Sequence, residues 1–412
     1  MAVVKPFRCI RPEKEKVHKV AALPYDVYSR KEACEAVAEN PLSFLNIDRA
    51  ETQFPASVDI YDERVYEKAR EILDRQIAEG LYVRDEGEHY YLYELTMDGR
   101  SQTGIVACSW IDDYLSGVIK KHENTREDKE LDRIRHVDTT NAHTGPIFLA
   151  YRQKEALREL VKKVKAAPSM YDFVSEDGIR HRVWRVQASE AAAGIGRAFE
   201  ETSVTYIADG HHRAASAVKV GLKRREEHPG YTGEEAYNYF LSVLFPDEEL
   251  MILPYNRVVK DLNGNSKEEF LTALGEKFLV KEVGKKPYKP AVKGTFGMFL
   301  DDAWYELEAK SSILSDDPVK GLDVSILQDH ILDPILGIGD PRTDRRIDFI
   351  GGIRGLGELE RRVGEDMTVA FSMYPTSIKE LLDVADAGRL MPPKSTWFEP
   401  KLRSGLFIHP LE

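Results

Sequence analysis

An apolar, β-rich run, Val204-Thr205-Tyr206-Ile207-Ala208, leads directly into Asp209-Gly210-His211-His212-Arg213. The pattern predicts a buried strand that ends in an acid and a glycine, with a helix beginning at once. Backbone N–H groups at a helix start bind anions, and the helix dipole adds to the attraction. Gly210 would let a phosphate come close to the backbone. His211 and His212 add donors, and Arg213 suits phosphate oxygens bidentately. Asp209 can position Mg²⁺ or accept a hydrogen bond from a ribose or substrate hydroxyl. The plainer alternative is a capped helix whose histidines face a polar crevice. Five polar or glycine residues at one strand-to-helix junction favour a ligand, because ligands gather at such junctions. Zinc on His211 and His212 is disfavoured, since adjacent residues at a helix start diverge and no third ligand stands out.

A second block reads Lys121-His122-Glu123-Asn124-Thr125-Arg126 and continues to Asp132-Arg133-Ile134-Arg135-His136, with His143 close behind. Its cations, Lys121, Arg126 and Arg133, suit a triphosphate, with His122 and Thr125 as further donors. Glu123 suits a general base or a Mg²⁺ ligand. A solvated, charge-laced helix is the competing reading. In Pro24-Tyr25-Asp26, an apolar run precedes Asp26, which would then sit at a strand end and could take a proton from a hydroxyl; a simple turn is the alternative. Met391-Pro392-Pro393-Lys394-Ser395-Thr396 ends like a P-loop but lacks its glycine and follows a helix, so it is no Walker motif. It can still bring Lys394 near a phosphate.

Helices are expected near 30–38 behind a Ser29 cap, from 62 to 79, from 154 to 165, from 190 to 200, and from 210 to 220. A hairpin is expected at 90–95 and 104–110 around Asp98-Gly99. The runs 237–245 and 250–259 read as two paired strands. Beyond them come a helix at 267–278, strands within 295–307, a helix at 324–336, a strand at 347–350, a helix at 355–363, a strand at 367–373 and a final helix after Ser377. Hairpins mixed with helices predict an α+β fold rather than a purely parallel sheet. Asn263-Gly264-Asn265-Ser266 is the expected boundary between an N-terminal lobe, 1–262, and a C-terminal α+β lobe, 263–412. A loop near 391–403 is expected to reach the site.

The chain has 412 residues, 42% of them hydrophobic and 31% charged, which is an ordinary globular composition. Its 58 Lys and Arg against 70 Asp and Glu leave a net charge of −12. That argues against nucleic-acid and anionic-membrane partners, yet permits a local cationic pocket for a small anion. Three scattered cysteines support neither a zinc knuckle nor a disulfide framework. With no signal peptide and no long apolar run, a cytoplasmic enzyme is expected. A homodimer is one assembly open to it.

Four blocks together, Leu23-Pro24-Tyr25-Asp26-Val27, His122-Glu123-Asn124-Thr125 with Asp132-Arg133, Asp209-Gly210-His211-His212-Arg213, and Met391 to Thr396, resemble the bacterial and archaeal family named domain of unknown function 1015. The Asp-Gly-His-His-Arg block is also similar to the archaeal free serine kinases of the ParB/sulfiredoxin-like superfamily. This resemblance implies a mixed-sheet, nucleotide-binding core with large additions. It implies phosphoryl transfer from ATP or ADP, with Mg²⁺, to free L-serine or a similar hydroxyl compound. Asp209, Gly210, His211, His212 and Arg213 would then hold phosphates. Lys121 or Arg126 would neutralise the terminal phosphate, Asp209 and Glu123 would hold the metal, and Asp26 or Glu123 would act as base. A phosphate-ester hydrolase or nucleotidase, and a non-enzymatic nucleotide-binding regulator, are the alternatives.

Overall fold

The computed structural model describes residues 1–412. The chain divides into two units, Met1–Leu250 with Pro400–Glu412, and Met251–Glu399. The fold is α+β, built on a sheet that mixes parallel and antiparallel pairs. The stretch at 263–266, expected as the boundary, lies inside the second unit. Tyr255–Val259 already pairs there with Ile347–Gly351 and Val369–Met373.

The first unit holds a nine-stranded sheet. Across it run Ile119–Lys120, Thr205–Asp209, Ile147–Tyr151, Tyr239–Pro246, Arg100–Trp110, Tyr91–Met97, Arg180–Arg185 and Tyr171–Val174, while Val4–Lys5 pairs with Arg100–Trp110. Asp98 and Gly99 both take positive φ, 51° and 78°. That is the twist a two-residue hairpin turn requires, and it sets Met97 opposite Arg100. Tyr206, Ile207 and Ala208 are all buried, as expected of a strand covered on both faces. Leu92, Ile105, Leu149, Ile207 and Phe240 pack with Leu157, Ile195, Phe199 and Ala217, which come from three helices, Glu155–Lys165, Ser189–Glu200 and His211–Glu227. A second core joins Phe44, Val65, Ala69, Ile72 and Ile408. The helix Glu63–Ala78 starts on an Asp62 cap.

The second unit holds a six-stranded sheet in the order Phe278–Gly284, Ala303–Ala309, Thr295–Leu300, Val369–Met373, Tyr255–Val259, Ile347–Gly351. All its pairings are antiparallel. The expected pairing of 237–245 with 250–259 does not occur. Tyr239–Pro246 is taken up between Arg100–Trp110 and Ile147–Tyr151. The helix expected at 324–336 is a short one, Asp323–Leu327, followed by a wider π turn at Gln328–Leu332.

Candidate functional site

Two blocks far apart in sequence meet because two neighbouring strands run in parallel. Ile119–Lys120 pairs with Thr205–Asp209 in the register Ile119 to Thr205 and Lys120 to Tyr206. Both strands leave the sheet at the same edge, so residues 121–126 emerge beside residues 209–213. The His212 ring locks the two together, its Nε2 accepting from the Arg126 N–H at 3.0 Å. Thr125 Oγ1 donates to Glu130 Oε2 at 2.7 Å, and Ser216 Oγ donates to the Glu130 carbonyl at 3.1 Å. These contacts tie the helix Glu127–Thr140 to the helix His211–Glu227.

Gly210 precedes that second helix with φ 92° and ψ 32°, a left-handed conformation, and no side chain caps the helix start. A Cβ here would lie 3.1–3.3 Å from the Arg213 guanidinium. Arg213 itself donates to the Pro146 carbonyl at 2.7 Å. Asp209 Oδ1 accepts from the Gly210 N–H at 2.7 Å, and Asp209 Oδ2 from Lys401 Nζ at 2.9 Å. Burial opposes the charge on Asp209, but Lys401 and Arg213 outweigh it and hold the carboxyl well below its usual range. The junction therefore presents the uncapped start of a 17-residue helix close to Arg213 and Lys401, and helix starts of this kind attract anions.

His122, Glu123 and His211 form a compact group. One donor atom from each lies within 4.8 Å of the others. The two imidazoles meet edge to face at 4.5 Å between centroids, and Glu123 Oε2 stands 4.0 Å from His211 Nδ1. Burial pushes His122 down to about 4. Burial, with His122 next to it, takes His211 well below its ordinary value. Both rings are therefore neutral at pH 7. Asp209, expected to share a metal with Glu123, is bonded to Gly210 and Lys401 beside this group and raises the basicity of both imidazoles. Of the two histidines weighed and disfavoured as a zinc pair, His211 meets His122, while His212 accepts from the Arg126 backbone.

Arg133 is buried, 2.9 Å from Asp132 and with its guanidinium 3.9 Å above the Tyr25 ring. Burial alone would lower its pKa, but Asp132 and Tyr25 raise it above the guanidinium norm. Tyr25, Asp48, Arg133, His143, Arg213 and Ser404 line a cavity of about 30 Å³. Asp26 is exposed on a 3₁₀ turn, Tyr25–Val27, and not at a strand end as expected. Pro24 fixes the chain at the entrance of that turn. Lys121 is exposed, with Nζ 5.0 Å from the Tyr114 ring. The Arg126 guanidinium pairs with Asp128 at 2.9 Å. Lys394 belongs to the second unit; its φ is 57°, its Nζ lies 5.6 Å from the Tyr255 ring, and its carbonyl accepts from Arg257 at 3.0 Å. Lys401 has no motif to mark it in the sequence. It is a lone lysine in a segment that returns to the first unit.

The sequence matches, over residues 4–325, the family described as protein of unknown function (DUF1015). No curated protein matches it. Among solved structures, a free serine kinase mutant in complex with ADP is similar at 13% identity, over 74% of this chain and 92% of that one, with a TM-score of 0.36. A conserved hypothetical protein from Pyrococcus furiosus gives 14%, 74%, 94% and 0.35. SbnI with a C-terminal truncation, from Staphylococcus aureus, gives 10%, 73%, 85% and 0.39. No helix is long and apolar enough to cross a membrane.

Proposed function

The chain belongs to the DUF1015 family, and on that premise we propose that it is a small-molecule kinase that transfers the terminal phosphoryl group of ATP or ADP to the hydroxyl of free L-serine. The observation that carries this reading is the uncapped helix start after left-handed Gly210, flanked by Arg213 and Lys401. Phosphoryl transfer is mostly positioning and charge neutralisation, and these groups supply both. The nucleotide phosphates rest on the N–H groups of 211–213, with Arg213 on one side and Lys121 and Arg126 on the emerging loop. His212 keeps that loop against the helix.

Asp26 acts as the general base. It is solvent-exposed, beside Tyr25, whose ring Arg133 fixes. The serine oxygen forms a bond to the terminal phosphorus, the bond from that phosphorus to the bridging oxygen breaks, and the hydroxyl proton passes to Asp26. The products are O-phosphoserine and the shortened nucleotide. Mg²⁺ is ordinarily held by one or two carboxylates together with substrate phosphates rather than by an all-protein cage. Asp209 is engaged by Gly210 and Lys401, and Glu123 lies beside two imidazoles. Mg²⁺ in this reading travels with the nucleotide phosphates.

Purified protein given L-serine, Mg²⁺ and either ATP or ADP should yield phosphoserine and an equal amount of ADP or AMP by mass spectrometry. No product across a panel of small hydroxyl acceptors overturns the reading. Inorganic phosphate released without an acceptor replaces it with a hydrolase acting at the same junction.

A further inference from the structure

We propose that His122, Glu123 and His211 bind a divalent transition-metal ion through two imidazole nitrogens and one carboxylate oxygen. Their donor atoms already lie within 4.8 Å of one another. Metal–nitrogen and metal–oxygen bonds of about 2.0–2.2 Å put tetrahedral donors about 3.3 Å apart. Glu123 is the ligand that closes the difference. Its side chain is 37% exposed, against 6% for His211, and turns about several single bonds.

The backbone sets the two imidazoles in place. His122 follows the strand Ile119–Lys120 at one residue's remove, and His211 is the first residue of the helix after Gly210. The parallel pairing of Ile119–Lys120 with Thr205–Asp209 fixes one against the other. His211 Nε2 accepts from the His122 N–H at 3.5 Å, and its Nδ1, 4.0 Å from Glu123 Oε2, is the nitrogen that faces the carboxylate.

A separate observation points to a ligand. His122 is 2% exposed, its ring bonds to no side chain, and the Ile207 backbone is the one group that acts on it as a hydrogen-bond partner. That serves at most one ring nitrogen, and a buried imidazole seldom leaves the other without a partner. A metal ion satisfies that other nitrogen and draws the ring toward His211 and Glu123. Asp209 takes no part, being held by Gly210 and Lys401.

The donor set selects the class of ion. Imidazole suits Zn²⁺, Cu²⁺, Fe²⁺ and Ni²⁺, whereas Mg²⁺ wants oxygen ligands in an octahedron. Three protein donors leave a position for water or a ligand oxygen, as in catalytic zinc sites. The site stands whether or not the protein is a serine kinase.

The test uses the full chain, stripped with a chelator and titrated with Zn²⁺ by calorimetry, without nucleotide or serine. Binding of about one equivalent of Zn²⁺ is expected, with no such binding of Mg²⁺. Co²⁺ in place of Zn²⁺ should give the visible absorption of a four- or five-coordinate ion. His211→Ala and the near-isosteric Glu123→Gln should each weaken Zn²⁺ at least about tenfold and remove the Co²⁺ bands, with circular dichroism unchanged. His18→Ala, at an exposed histidine, should bind as wild type. Absence of stoichiometric Zn²⁺ in the wild type, or wild-type binding by Glu123→Gln, overturns the proposal. Since neither nucleotide nor acceptor is present, a negative result here leaves the kinase assay untouched, and the reverse also holds.

Discussion

Lys401 Nζ stands 2.9 Å from Asp209 Oδ2, across 192 positions of the chain. The segment Pro400–Glu412 therefore returns to the strand-to-helix junction, where the Lys401 ammonium offsets the charge of Asp209. Both side chains are largely shielded, at 14% and 32% exposure, so solvent screens the pair only in part.

Removing that ammonium exposes the phosphate site to Asp209. Lys401→Met should weaken ADP binding by about tenfold, or about 1.4 kcal/mol, by titration calorimetry. Adding Asp209→Asn should restore most of the loss, because the repelling charge goes with it. Equal ADP affinity in wild type and Lys401→Met would show that the pair serves the fold alone.

Gly210 can be separated into strain and contact. Its φ of 92° costs an alanine about 1–2 kcal/mol, and the added Cβ also presses on the Arg213 guanidinium at 3.1–3.3 Å. Gly80, with φ 74° and nothing within 4 Å of an added methyl, carries the strain without the contact. Both Gly210→Ala and Gly80→Ala should lower the melting temperature. Only Gly210→Ala should also reduce ADP affinity.

The junction is legible in sequence because its signals are local. A β-rich run, a glycine and a switch to helical residues occupy ten positions, and the structure follows them closely. Asp98-Gly99 encodes its hairpin in the same way. So do Ser29 and Ser377, each closing a capping box with the glutamate three residues on. What brings the site together is not local. Ile119–Lys120 is only two residues long, too short for any periodicity, yet its parallel pairing carries His122 and Glu123 to His211. Consecutive β-rich runs at 237–245 and 250–259 suggest a hairpin, the default for neighbours in sequence. The chain instead passes from one unit to the other between them. The apolar run before Asp26 suggests a strand end, but Pro24 begins a turn there.

Stability should also fall as pH rises through neutrality, because of Asp323. Its carboxylate accepts from the Gly294 N–H at 3.0 Å through each oxygen, yet burial pushes it up to about 7 from 3.8. A carboxyl raised in the folded state favours folding fully below pH 3.8, and that contribution fades as pH climbs through about 7. Between pH 5 and 8 the loss should be about 2–3 kcal/mol at about 1.4 kcal/mol per unit. Urea unfolding at both pH values measures it. Asp323→Asn keeps an acceptor for Gly294 and should flatten the dependence.

Asp26 and Glu123 make opposite predictions as bases. Asp26→Asn keeps the shape of the turn and removes the proton acceptor. Phosphoserine formation should drop by about two to four orders of magnitude. ADP affinity should be unchanged, since in this reading the phosphates rest on 211–213 and not on the Tyr25–Val27 turn. Glu123→Gln should keep forming phosphoserine while losing bound Zn²⁺. If instead Asp26→Asn turns over at the wild-type rate and Glu123→Gln loses phosphoserine formation, the base is Glu123. The carboxylate beside the imidazoles would then take the serine proton, and the exposed turn at Asp26 would only frame the pocket.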